Sequence, residues 1–223
     1  MHSILEKVLT SQIKLTEAVS YFIDNYSKEV NTDVSRSIRE RDYILCSEYL
    51  AQIQEKKQCL EKYCILEVEE KHLFNIGKFK FTGIIDLLLK DKDTEDLIIV
   101  DHKSAKYPLK QHSHTVMKNM EQVFEKHKTQ LYLYSKPVYE KHGKYPKKLC
   151  WNHFKSGKTA SIDFDEDEYA HALQWVENTI HRIEQDALFM PEDNYFYCTH
   201  LCGCRKECEY QYENRKLYSD TYT

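Results

Sequence analysis

Glycine and proline are scarce in this chain, five and four among 223 residues. That scarcity argues against long flexible linkers, which draw heavily on both. The sequence also shows no low-complexity tract and no internal repeat. Long apolar runs are missing as well: none approaches the ~20 residues of a membrane-spanning helix. The opening stretch MHSILEKVLTSQIKL is amphipathic and lacks the apolar centre and small-residue cleavage site of a signal peptide. A cytoplasmic protein is therefore expected. Histidine is nearly absent from the first third, where only His2 precedes His72.

What is present suffices for one domain with a real core. Hydrophobic residues make up 41% and charged residues 30%, with a mean hydropathy of −0.69. The expected organisation is a single domain over 1–223: N-terminal helices over 1–60, a core over 61–190 and a cysteine-rich tail over 191–223. Apolar residues recur at helical spacing from 4 to 28 and again from about Ser35 to Lys57. The period then changes to two. Strands are expected at 63–74, 78–90 and 97–105, with DKDTED as a hairpin loop. A long helix from Thr115 to Glu140, two strands at 147–154 and 159–164, and a helix over 165–188 follow. Three adjacent antiparallel strands among helices predict an α/β fold with a mixed central sheet flanked by helices.

Net charge is −4, yet from Asp101 to Lys158 there are thirteen lysines against four acids, or 13 − 4 = +9. A local positive field on an acidic protein suits a polyanion approached from one side. Two of the strand segments carry an aspartate where a core strand should carry a hydrocarbon: Asp86 in GIIDLLLK and Asp101 in LIIVDHK. Burying an unpaired carboxylate is expensive, so a compensating partner is expected. Side chains alternate along a strand, so Asp101 and Lys103 face one way and His102 the other. Paired carboxylates suit a hard divalent cation such as Mg²⁺ or Mn²⁺. Such an ion acidifies water and polarises a phosphodiester, and an adjacent lysine stabilises developing charge. Gly83 marks a place where something approaches a strand closely. Further on, Gln130 and Tyr134 share a helix face, and His127 lies on it too.

Gly83-x-x-Asp86, Asp101-x-Lys103 and Gln130-x-x-x-Tyr134 together resemble the PD-(D/E)xK nuclease superfamily. The last of them is similar to the signature of its RecB-type branch, kin of lambda exonuclease and the CRISPR-associated adaptation nucleases. The likeness covers about residues 35 to 210. It implies a restriction-endonuclease-like core and an Mg²⁺- or Mn²⁺-dependent deoxyribonuclease acting on DNA, either a single strand or a duplex end. The work implied is DNA end processing in recombination, repair or CRISPR adaptation, beside a helicase or recombination partner. A catalytically inactive DNA-binding or assembly subunit of the same fold is the competing class. Carried over residue by residue, the resemblance makes Asp86, Asp101 and the His102 carbonyl metal ligands, Lys103 the catalytic lysine, and Gln130 and Tyr134 groups that hold the strand. Lys106 joins Lys103, Gln130 and Tyr134 against DNA. The family adds a His or Glu from an upstream helix; Glu48 is the candidate here, with Glu67 and Glu69, on one face of the first strand, as alternatives.

The tail carries Cys198, Cys202, Cys204 and Cys208 within eleven residues. Crowded thiols without a secretion signal point to a metal rather than disulfides. The resemblance favours a [4Fe–4S] cluster; Zn²⁺ is the alternative, and Cys46 a substitute ligand. The other cysteines, 46, 59, 64 and 150, read as small buried hydrophobes.

Overall fold

A computed structural model describes residues 1–30, 36–55, 61–104, 114–188, 194, 197–198, 202–204 and 207–208. The chain divides into two compact units, Met1–Glu177 and Asn178–Thr223.

The first unit opens with α1 (His2–Leu9), α2 (Ala18–Glu29) and α3 (Arg36–Glu55). The single helix expected over 4–28 is two. Ser11 takes a left-handed φ of 61°, which a helix cannot contain, and the chain restarts through a 3₁₀ turn at Leu15–Glu17. The apolar stripes of the three helices meet in one cluster around Ile4, Leu5, Phe22, Cys46 and Leu50.

Five strands follow: β1 (Tyr63–Ile76), β2 (Phe79–Asp91), β3 (Leu97–Lys103), β4 (Lys148–His153) and β5 (Lys158–Asp163). They form one mixed sheet in the order β1-β2-β3-β4-β5. Only β3 and β4 run parallel. A parallel pair needs a crossover, which α4 (His114–His142) supplies; Pro137 sits inside this helix. The β2–β3 loop is held by Asp91, whose Oδ1 accepts from the Asp93 N–H at 3.0 Å. Helix α5 (Glu166–Gln185) begins with three acids in its first turn, as the helix dipole favours. Asp165 caps it, accepting from the Glu168 N–H at 2.9 Å.

Strand alternation sorts the core. Leu88, Leu97, Ile99, Leu149 and Trp151 pack with Leu131 and Tyr132 of α4. Leu87, Leu89, Ile98 and Cys150 form the opposite layer, against which Leu9 of α1 packs. The α/β class and mixed sheet are as the pattern predicts. Cys46 and Cys150 are buried as expected, Cys64 is only partly so, and Cys59 lies outside the described residues. Among the described residues, no helix is long and apolar enough to cross a membrane.

Candidate active site

The β2–β3 ladder runs from Lys90–Leu97 to Leu87–Val100 and stops. The next rung is Asp86 and Asp101, where the strands part. The His102 backbone N–H instead donates to Asp86 Oδ2 at 2.6 Å. The end of a splayed antiparallel pair thus gathers both aspartates. Asp101 is only 4% exposed. Lys103 Nζ lies 2.7 Å from its Oδ2, but off the hydrogen-bond axis, so that buried oxygen has charge compensation without a hydrogen bond. Lys103 Nζ donates to Gln130 Oε1 at 2.9 Å, and Gln130 Nε2 to Tyr134 OH at 2.9 Å. The two helix residues therefore form one relay ending on the lysine.

Gly83 has a specific reason. A Cβ there would stand 2.9 Å from Tyr134 Cε1, closer than side chains pack. The ring of Tyr134 is the group that approaches the strand.

Glu48 is exposed on α3 and belongs to neither of the described His/Cys/Asp/Glu groups able to hold a cation. The group at this site is His2, Glu69 and Asp86. His2, the first residue of α1, places Nδ1 3.1 Å from Glu69 Oε1 and 3.7 Å from Asp86 Oδ2. No spacing in the sequence announces His2; it arrives because Ile4 and Leu5 dock α1 on the helical cluster.

Glu67 and Glu69 do not lie together on the one face that strand alternation suggests. The β1–β2 register slips between Ile65 and Glu67, and Glu69 takes a left-handed φ of 48°. The pairs Val68–Leu87 and Glu70–Ile85 leave Glu69 across from Asp86. Glu67 instead accepts from His72 and from His142, each at 2.8 Å, and lies 3.0 Å from Lys141 Nζ.

The electrostatics follow. Burial pushes the Asp86 carboxyl up to about 6; the His102 N–H opposes this, Asp101 adds to it, His2 opposes and Glu69 adds. Burial and the charge of Lys103 hold His127 below the ordinary histidine value. His102 points to the other face, as alternation requires, and its Nδ1 meets Asn152 Nδ2 at 2.9 Å. Burial lowers it to about 4, so it is a neutral imidazole near pH 7.

The lysine-rich span is less bare than its linear charge suggests. Lys155 pairs with Asp42, Lys141 with Glu67 and Glu70, Lys128 with Glu125 and Glu168, and Lys136 with Glu140. Lys106 falls outside the described residues. In the second unit, the Cys198 N–H donates to the Asn194 carbonyl and the Cys202 N–H to that of Tyr197, both at 2.8 Å. Among the described residues, no three of the four tail sulfurs come within 4.8 Å of one another.

The model of the PD-(D/E)XK nuclease superfamily matches residues 1–211. A solved structure described as "Crystal structure of SSO0001" is similar at 16% identity and a TM-score of 0.36, over 92% of this chain and 94% of that one. No curated protein matches the chain.

Proposed function

The chain belongs to the PD-(D/E)XK nuclease superfamily, and we propose that it is a divalent-cation-dependent deoxyribonuclease, most simply an exonuclease acting at DNA ends. The observation that carries this reading is the convergence of Asp86, Asp101 and Lys103 where β2 and β3 part. The donor set fits a hard cation. Asp86 is pushed up by burial and by its carboxylate neighbours, and Asp101 Oδ2 lacks a hydrogen bond although buried. Asp86, Asp101 and the His102 carbonyl would hold Mg²⁺ or Mn²⁺, with Glu69 and His2 beside them. When bound, such an ion supplies Lewis acidity to the phosphodiester and to the attacking water.

The chain's own groups do the rest. The His102 N–H fixes the orientation of Asp86. Gln130 holds the Lys103 ammonium beside Asp101, where it can neutralise charge gathering on a phosphate. Tyr134 fixes the Gln130 amide in turn, and Gly83 gives its ring room. On this reading hydrolysis proceeds without a covalent intermediate.

The finer reading of the tail, a metal held by Cys198, Cys202, Cys204 and Cys208, rests on thiol count and spacing, and the preference for [4Fe–4S] over Zn²⁺ rests on the motif resemblance. Its role would be structural, and elemental analysis of anaerobically purified protein tests it. The RecB-type branch, a helicase or recombination partner, and work in repair, recombination or CRISPR adaptation rest on the motif resemblance.

The test of activity is a time course on end-labelled linear and circular DNA with Mg²⁺, Mn²⁺ or EDTA. Cation-dependent cleavage is expected, and Asp101→Asn should reduce it by about a thousand-fold or more, given the scale of single electrostatic deletions. Wild-type protein that binds DNA but cuts neither substrate with either cation would leave the binding-subunit reading in its place.

A further inference from the structure

Beside the relay of Lys103, Gln130 and Tyr134 lies a second concavity that the chemistry above does not use. It encloses about 230 Å³ and is lined by Phe74, Phe81, Leu133, Tyr134 and Trp175, with Lys126 at its rim. Its floor is a cross-strand pair: Phe74 faces Phe81, with ring centroids 5.9 Å apart and planes inclined by 23°. Its wall is α4, where Lys126, Gln130 and Tyr134 recur every four residues and so share one face. Trp175 projects from α5 and is 51% exposed.

Three features separate this pocket from ordinary core. Its apolar lining reaches solvent through a half-exposed tryptophan, which a core would bury. Two of its lining residues, Gln130 and Tyr134, belong to the site itself, and two hydrogen bonds separate Tyr134 from the catalytic lysine. Lys126 makes no ion pair among the described residues, whereas Lys128, Lys136 and Lys141 on the same helix all do. Aromatic faces beside a free cation suit a planar ring attached to a phosphate. Single-stranded nucleic acid is held in this way, by bases stacked on aromatic side chains and by lysines on the backbone.

We propose that this pocket receives one unstacked base of the strand being cut, next to the scissile phosphate, with Lys126 on a flanking phosphate. The proposal rests on the nuclease reading and deepens it, because it sets the substrate. A base cannot enter while stacked and paired in a duplex, and extruding it costs free energy. Single-stranded or frayed ends are therefore cut in preference to blunt duplex, and the pocket defines which nucleotide is registered.

The probe is a 5′-fluorescein oligothymidylate carrying one abasic position, walked along the strand. Binding to the full chain is followed by anisotropy in EDTA at fixed salt. One position should lose about ten-fold in affinity, the scale of one base–aromatic stack, and the others little. Trp175→Ala should remove that dip while leaving the rest of the scan unchanged, and Trp175→Phe should keep it. Phe81→Leu provides a second variant with the same expected loss. A flat scan, or a Trp175→Ala protein that weakens every position equally, overturns the proposal. Cleavage of the intact oligonucleotide with Mg²⁺ is read separately. Cleavage with a flat scan sinks the pocket alone, a dip without cleavage sinks the nuclease reading alone, and neither binding nor cleavage sinks both.

Discussion

Two carboxylate clusters stand on the β1–β2 pair, and they are built from similar residues to opposite effect. At one, Asp86 sits with Glu69, His2 and Asp101. At the other, Glu67 sits with Glu70, His72, His142 and Lys141. Both central carboxyls are shielded from water, Glu67 more so. Burial alone would push both up. At Glu67 it is outweighed by hydrogen bonds from His142 and Lys141 and by the charge and hydrogen bond of His72, and the carboxyl falls below its ordinary value. At Asp86 burial prevails, because the His102 N–H and His2 that oppose it are met by Asp101 and Glu69, and the carboxyl rises to about 6. Lys141 already fills the cation's place in the Glu67 network, which ties α4 to β1. The Asp86 cluster gathers negative charge that its own residues do not fully neutralise. A buried acid is thus diagnostic of a site only when its surroundings fail to satisfy it.

The comparison can be broken by removing each acid. Glu67→Gln should produce the larger change in stability, a loss of about 3 kcal/mol, because it removes the buried charge on which His72, His142 and Lys141 converge. Thermal and denaturant unfolding at pH 7 measure it, and the specific activity of the folded fraction should persist. Activity lost in step with Asp101→Asn would instead make Glu67 a ligand. Asp86→Asn should move stability the other way in EDTA. A carboxyl at about 6 in the folded chain and 3.8 in the unfolded chain binds protons more tightly when folded. Stability from this group is therefore present at low pH and declines as pH rises from about 4 through 6. Replacing it should stabilise the protein at pH 7.5 by up to about 3 kcal/mol, and the gain should vanish near pH 4. A stability difference independent of pH would show that Asp86 is already neutralised by its surroundings.

Much of this was legible in the residues. Period-two and period-3.6 patterns give the elements in order, and the aspartates in oily strands single out Asp86 and Asp101 because hydrocarbon is what such positions normally carry. Alternation separates Asp101 and Lys103 from His102, and the four-residue step pairs Gln130 with Tyr134. What stayed illegible depends on tertiary contact or on backbone irregularity. The left-handed turn at Glu69 and the register slip before Glu67 undo the alternation that put both acids on one face. The pairing of Lys155 with Asp42 and of Lys141 with Glu67 joins segments whose linear charge had looked segregated. The break at Ser11 splits the first helix without a glycine or proline to signal it. His2 is the clearest case, since its place by Asp86 is fixed by where α1 lands.

That last residue gives the finest test. If His2 and Glu69 complete the cation site, His2→Ala should weaken Mn²⁺ binding by about ten-fold, as loss of a supporting ligand typically does. Isothermal titration calorimetry reads this directly, and cleavage should recover as Mn²⁺ is raised. Stability should change little, because the His2 side chain is 44% exposed. Glu69→Gln should show the same shift in affinity. Glu48→Ala, at an exposed position of α3, should leave both affinity and stability within experimental error, about 0.5 kcal/mol for such surface changes. The opposite pattern, with Glu48→Ala weakening Mn²⁺ and His2→Ala silent, would return the upstream ligand to α3. It would also reduce the His2–Glu69 contact to one more internal pair like that of Lys141 and Glu70.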